Sequence, residues 1–152
     1  MTGSGSADLW ILGIHMTKFG KHPDKDLVDL AANAALAALT DGGVDIRQMG
    51  VLAAGNLLGG GGIGQQLQKQ IGQTGIPVYN VANACATGAT ALRTVCMAIK
   101  AGEADMGLAV GVEKLSGAGL LGARPRAEQE GEWKRSGRFG SVQPTDDTAN
   151  SD

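Results

Sequence analysis

The sequence predicts an α/β protein, with sheet and helices in layers and elements in the order β-α-β-α-β-α-β. Three observations carry this. Short apolar runs alternate along the chain with stretches of helical spacing. Hydrophobic residues make up 43% of the 152 residues while aromatics are only 3% and glycines number 25. That combination means small side chains and close backbone packing. Finally, the stretch from Gly75 to Ser116 contains a strand, a helix of about five turns and a second strand, a βαβ unit for which the parallel arrangement is strongly favoured.

The elements follow in order. Leu9 to Ile14 (LWILGI) is a continuous apolar run and predicts a first, buried strand. Thr17 to Lys25 is a loop broken by Gly20 and Pro23. Asp24 or Asp26 can cap a helix from Leu27 to Leu39, with Leu27, Leu30, Ala31, Ala34 and Ala38 on one face. Asp41-Gly42-Gly43 ends it. Val51 to Leu58, interrupted by Gly55, is the second strand, and a polar helix runs from about Ile63 to Ile71 before Gly72 and Gly75. Ile76 to Val81, opened by Pro77, is the third strand. Ala84 to Ala101 is a helix with Ala89, Leu92, Cys96 and Ile99 recurring on one face, stopped by Gly102. Met106 to Val112 is the fourth strand, ending at Glu113. From Ala123 the texture changes. Arg124 to Asp152 is rich in charge, Gly, Pro and Ser without periodicity, and reads as a surface loop or a partly disordered tail.

Composition excludes several classes. A net charge of −2 and a pI near 5.6 give no reason to expect nucleic acid or an anionic membrane as partner. The N-terminus, MTGSGSADL, has no basic region before its apolar run, and no apolar run approaches the roughly 18 residues of a membrane span. The default expectation is a soluble, cytoplasmic protein. Cys85 and Cys96 fall on one predicted helix, roughly 16 Å apart. A disulfide needs Cα atoms within about 7 Å, so none is expected. With His15 and His22 the only imidazoles, no set of residues has zinc-ligand spacing, and a metal site is rejected.

Cys85 is the residue to explain, because it sits where a strand turns into a helix. Unpaired N–H groups and the positive end of the helix dipole favour thiolate over thiol there. A thiolate so placed can attack an acyl carbon, and the same N–H groups can receive the developing oxyanion. Gly88, one turn in, leaves room for a substrate or another backbone. The plainer alternative is a small buried hydrophobe, and the spacing alone shows no base beside the cysteine. Gly59, Gly61 and Gly64 match G-x-G-x-x-G between a strand and a helix. No Asp or Glu occurs between Asp45 and Glu103 to meet a ribose, so dinucleotide binding is set aside. Glu113 is assigned structural hydrogen bonds at its strand end rather than acid/base chemistry. Arg93 and Lys100 read as a solvated helix face.

Asn83-Ala84-Cys85-Ala86-Thr87-Gly88, a helix ending at Gly102, and Gly111-Val112-Glu113-Lys114-Leu115-Ser116 together resemble the thiolase family, in its sterol-carrier, lipid-transfer branch. The resemblance covers roughly Asp8 to Pro144 and is strongest from Gln65 to Leu121; Gly64-Gln65 stands where the family has a Gly-Gln pair. It implies a thiolase-like layered fold, of which this is the N-terminal half. It also implies that Cys85 accepts an acyl group from acyl-CoA, the thioester being substrate with no further cofactor, in carbon–carbon cleavage or condensation of lipid metabolism. A homodimer through the Pro77–Val81 strand is implied as well. Residues 1–122 would then form the half-domain, and 123–152 would begin a CoA-binding insertion; its basic residues Arg124, Arg126, Lys134, Arg135 and Arg138 lie among Glu128, Glu130 and Glu132, and none is assigned to a phosphate.

The departures from the family matter equally. Its Gly-His-Pro histidine and Cys-x-Gly-Gly-Gly cysteine do not occur in this sequence, and neither His15 nor His22 matches the former. The family's half-domain also has a fifth strand, lying between the first and the fourth; only four are legible here. The resemblance therefore implies an incomplete chain, a truncation or one piece of a split enzyme, inactive alone. Two alternatives stand beside the acyltransferase. One is part of a lipid-transfer-type aldolase or thiolase acting on sterol side-chain CoA esters with a small partner subunit. The other is a non-catalytic interaction module using an open sheet edge.

Overall fold

Val51–Gly55, strand β1, is buried along its whole length, and the sheet is built around it. The computed structural model describes residues 8–59 and 61–115, so the expected 123–152 segment lies outside the described residues. Helix α1 (Leu27–Asp41), a single 3₁₀ turn (Ile46–Gln48), helix α2 (Ile63–Ile71), strand β2 (Val78–Val81), helix α3 (Thr87–Lys100) and strand β3 (Gly107–Gly111) complete the elements. Strand β1 pairs in parallel with β2 on one side, Leu52 opposite Val78, and with β3 on the other, Val51 opposite Gly107. The order is β2-β1-β3, so both β2 and β3 are edge strands among the described residues.

Alternation along β1 sends its side chains to two cores, as the two-residue period of a strand requires. Leu52, with Leu108 and Val110 of β3, packs against Ala31, Ala32, Ala35 and Leu39 of α1 and Leu67 and Ile71 of α2. Val51 and Ala53 pack on the opposite face against Ala91, Val95 and Ala98 of α3. The result is helix, sheet, helix, the expected α/β layering. Asp26 caps α1: its carboxylate accepts the Asp29 N–H at 2.8 Å while Asp29 accepts the Asp26 N–H at 3.1 Å.

Two expectations are corrected. Leu9–Ile14 is not a strand, and it is not buried: Trp10 is 82% exposed and Ile14 71%. Its Gly13 rests instead on the end of α1, where an added Cβ would lie 2.3 Å from the Ala38 carbonyl oxygen, and the Ile14 N–H donates to Asp41 at 2.9 Å. The physical reason is the ladder. The resemblance places a fifth strand between the first and fourth, and no such strand stands beside β3 among the described residues. Without it the apolar run has no backbone partner to pair with.

The second correction concerns α3. Its buried face is Thr87, Ala91, Val95 and Ala98, not Ala89, Leu92, Cys96 and Ile99. Leu92 is 46% exposed, Cys96 is half-buried, and Ile99 only borders the core. Small residues face the sheet because the glycine-ended strands let the helix approach closely. The larger residues are left on the outside. Periodicity reports that a face is apolar without saying which of two apolar faces meets the sheet.

Candidate active site

The carboxyl ends of β1, β2 and β3 lie together, and the turn from β2 into α3 crosses that edge. Parallel strands force this arrangement, and crevices outside the carboxyl ends of such strands are where α/β sheets place ligands. Cys85 lies in this turn and is exposed. It stands two residues before the first residue of α3, Thr87, rather than inside the first turn as the spacing suggested, because Ala84 interrupts the helical path. Ala84 has φ +45°, the one non-glycine among the described residues with positive φ. An L-residue held in this left-handed region costs on the order of 1–2 kcal/mol, which the surrounding bonds must offset.

Those bonds come from Thr87 and Asn83. The buried Thr87 hydroxyl accepts the Asn83 N–H at 2.8 Å and donates to the Ala84 carbonyl at 2.7 Å. The Asn83 side-chain amide donates to Thr90 Oγ1 at 3.0 Å. The turn is therefore tied on both sides of Cys85. No side chain caps the N-terminus of α3, and the N–H groups of Gly88 and Ala89 meet no acceptor among the described residues. They are donors available to an anion at this end of the helix.

Glycines bring α3 down onto the strand ends. A Cβ on Gly55 would lie 2.7 Å from Thr87 Cγ2, and one on Gly111 would lie 2.9 Å from Gly88 Cα. Of the two neighbours expected at Gly88, another backbone is the one found, with the Gly111 Cα at an ordinary 3.8 Å from an added Gly88 Cβ. Beside it, Asn80 binds the Gly-Gln pair: its Oδ1 accepts the Gly64 N–H at 2.7 Å, and its amide donates to Gln65 Oε1 at 2.7 Å. Gly64 has no room for a side chain, since a Cβ would meet Val78 Cγ1 at 2.4 Å. That glycine serves helix-to-strand packing, a role that needs no nucleotide.

Glu113 makes the structural hydrogen bonds expected of it, accepting the Leu57 N–H at 2.9 Å. Lys114 turns the other way, donating to the carbonyls of His22 and Lys25 and so holding the loop before α1. His22 Nε2 lies 2.9 Å from the Lys18 carbonyl, and no hydrogen bond among the described residues joins His15 or His22 to Cys85. Among the described residues no group of three His, Cys, Asp or Glu side chains could hold a metal ion, and no helix is long and apolar enough to cross a membrane. The acidic groups with displaced pKa values are Asp29, in the first turn of α1, and Asp45, at the cap of the 3₁₀ turn. Gln70 and the Asp26 N–H lower the first, and the Arg47 side chain and N–H lower the second.

Sequence reasoning found Cys85, Gly64, Gln65 and Glu113 but missed the network that sets them. Asn56, Asn80 and Thr87 each hold backbone in place, while the Asn83 side chain holds the Thr90 hydroxyl. A usable signal was present for Asn56 alone, which falls directly after the apolar run Val51–Gly55 and is buried; Asn80 and Asn83 are exposed.

A parallel α/β layer with an exposed cysteine on a strained strand-to-helix turn defines a candidate acyl-transfer site. The chain belongs to the thiolase family: the family described as Thiolase, N-terminal domain, matches residues 9–138. It is 38% identical over 120 residues to sterol carrier protein 2 of Homo sapiens, covering 76% of this chain and 22% of that protein. It is 35% identical over 114 residues to an acetyl-CoA acetyltransferase of Methanothermobacter thermautotrophicus, covering 72% of this chain and 30% of that one. In fold it is similar to a 3-oxoacyl-[acyl-carrier-protein] synthase III from Aquifex aeolicus, with a TM-score of 0.56 at 22% identity over 62% of this chain and 32% of that one. An acetyl-CoA acetyltransferase thus stands among the relatives that the chain is similar to. The chain spans less than a third of the length of each of these proteins.

Proposed function

We propose that this chain is the nucleophile-bearing part of a thiolase-type acyl-CoA C-acyltransferase, with Cys85 as the acyl acceptor. The observation that carries the reading is the exposed thiol on the Ala84 turn, beside the uncapped N–H groups of Gly88 and Ala89. The Cys85 sulfur attacks the thioester carbonyl carbon of acyl-CoA. The carbonyl oxygen gains charge and is met by the helix N–H donors. The carbon–sulfur bond to CoA then breaks, CoA leaves as its thiol with the proton lost from Cys85, and the acyl group remains as a thioester on the protein.

Carbon–carbon cleavage or condensation needs proton transfer next to that thioester. General bases contribute on the order of 10²–10⁴-fold each, and the 152 residues contain neither the family's Gly-His-Pro nor its Cys-x-Gly-Gly-Gly. We assign those groups to polypeptide beyond this sequence, so the chain alone is acylated slowly and does not turn over. A homodimer through the β2 edge, near Tyr79, is part of the same proposal.

The test is incubation with acetyl-CoA and with a long-chain acyl-CoA, read by intact mass. An acyl adduct that maps to Cys85 and is lost in Cys85→Ser supports the assignment. Absence of any adduct at millimolar thioester over hours refutes it. A second reading, a part of a lipid-transfer-type enzyme acting on sterol side-chain CoA esters with a small partner subunit, is favoured by the names of the relatives, sterol carrier protein 2 and non-specific lipid-transfer protein-like 2. Preferential acylation by a steroid-side-chain CoA ester over acetyl-CoA separates it from the first.

A further inference from the structure

Glu113 stands just past β3, and its carboxylate reaches across to the chain leaving β1. One oxygen accepts the Leu57 N–H at 2.9 Å and the Leu58 N–H at 3.3 Å. The other accepts the Asn56 amide at 3.2 Å. The same amide donates to the Val112 carbonyl at 2.9 Å, and Asn56 Oδ1 accepts the Gly59 N–H at 2.7 Å. Three donors converge on one side chain, so only a group that accepts at both oxygens fits. The neighbouring cation, Lys114, is engaged elsewhere, which leaves the carboxylate to neutral donors in charge-assisted bonds.

The residues beside this clamp are the ones α3 stands on. Gly55, immediately before Asn56, would meet Thr87 Cγ2 at 2.7 Å and the Thr87 carbonyl oxygen at 2.8 Å with any added Cβ. Gly111, two residues before Glu113, touches Gly88. The backbone continues the tie, with the Val112 N–H donating to Gly55 at 2.9 Å and the Asn56 N–H to Val81 at 3.1 Å. Thr87 in turn holds the Asn83 and Ala84 peptides on the near side of Cys85.

We propose that Glu113 is a positioning residue: through Asn56 it fixes the two strand ends under α3, and thereby the setting of the turn that presents Cys85 to the helix N–H groups. The proposal rests on the reading of Cys85 as the acyl acceptor, but its test does not use acyl transfer. Full-length chain is alkylated briefly with iodoacetamide, and the rates at Cys85 and Cys96 are mapped separately. Glu113→Gln places an amide against the Asn56 amide, and the Cys85-to-Cys96 rate ratio is expected to fall about threefold to tenfold, since small displacements of a reacting group carry large rate effects. Glu113→Asp, which still accepts at both oxygens, is expected to recover at least half of that loss on a logarithmic scale. Asn56→Ala removes the other arm and is expected to lower the ratio too, with the double variant no lower than the worse single one.

A role confined to stability would lower the melting temperature and leave the ratio alone. The proposal is overturned by a ratio within about twofold of wild type in the folded variants. It is overturned equally by both cysteines speeding up together, or by Glu113→Asp behaving no better than Glu113→Gln. Absence of acyl-CoA labelling with a normal response here would sink the functional reading and leave the clamp standing.

Discussion

Gly55→Ala tests how closely α3 is seated on the sheet. Gly55 has no positive φ, so alanine can adopt its backbone conformation, and only the space is at issue. The new methyl group would meet Thr87 Cγ2 at 2.7 Å and the Thr87 carbonyl oxygen at 2.8 Å, about 0.6 Å inside the 3.4 Å where ordinary contact begins. The carbonyl belongs to helix backbone and cannot rotate away, so the helix start must lift. Overpacking of this kind costs about 1–3 kcal/mol, offset by about 0.4–1 kcal/mol from reduced chain entropy in the unfolded state. The net expectation is a loss of about 1–2 kcal/mol, or roughly 5–15 °C in Tm for a unit of this size. Gly88→Ala is the control. A Cβ there meets its nearest neighbour, the Gly111 Cα, at an ordinary 3.8 Å, and the position is helical, so Tm should hold or rise by a few degrees. Thermal unfolding followed by circular dichroism decides it. An unchanged Tm in Gly55→Ala, or an equal loss in both variants, refutes the seating described above.

Other consequences are accessible to routine measurement. Asp26→Ala removes the N-cap of α1 and should cost about 1 kcal/mol in urea unfolding. Asp29 is held below the ordinary carboxylate range, first by the Gln70 amide and then by the Asp26 N–H. Its folded pKa is depressed, so its contribution is present above the unfolded value and lost as pH falls through the folded one. Asp29→Asn should therefore flatten the acid limb of stability against pH, and a limb of unchanged slope would exclude the linkage. Cys96→Ser should cost about 1 kcal/mol or less, since the thiol is half-buried, and a larger loss would place it in the core after all. Tyr79→Lys puts a charge on the exposed edge of β2 and should dissociate a strand-paired dimer in analytical ultracentrifugation; a monomer before and after would remove that interface.

What the residues alone determined was local. The breakers Gly42, Gly72 and Gly102 and the cap at Asp26 bounded helices that formed within a few residues of expectation, and α2 formed between the residues named for it. The cysteine at the strand-to-helix junction and the Gly-Gln pair were legible for the same reason, because turns and caps are governed by neighbours in the chain. Tertiary structure decided what depends on partners distant in sequence. Leu9–Ile14 has the composition of a buried strand, yet a strand exists only against another strand's N–H and C=O groups, and none stands beside it among the described residues. Both faces of α3 are apolar, and only the glycine ends of β1 and β3 choose Ala91 and Val95 over Leu92 and Cys96 as the face to bury. Glu113 read as a polar strand end, but the loop it holds lies more than fifty residues earlier, at Asn56 to Leu58. No local pattern encodes a bond of that span, because the geometry that makes it appears only when the parallel strands align their carboxyl ends.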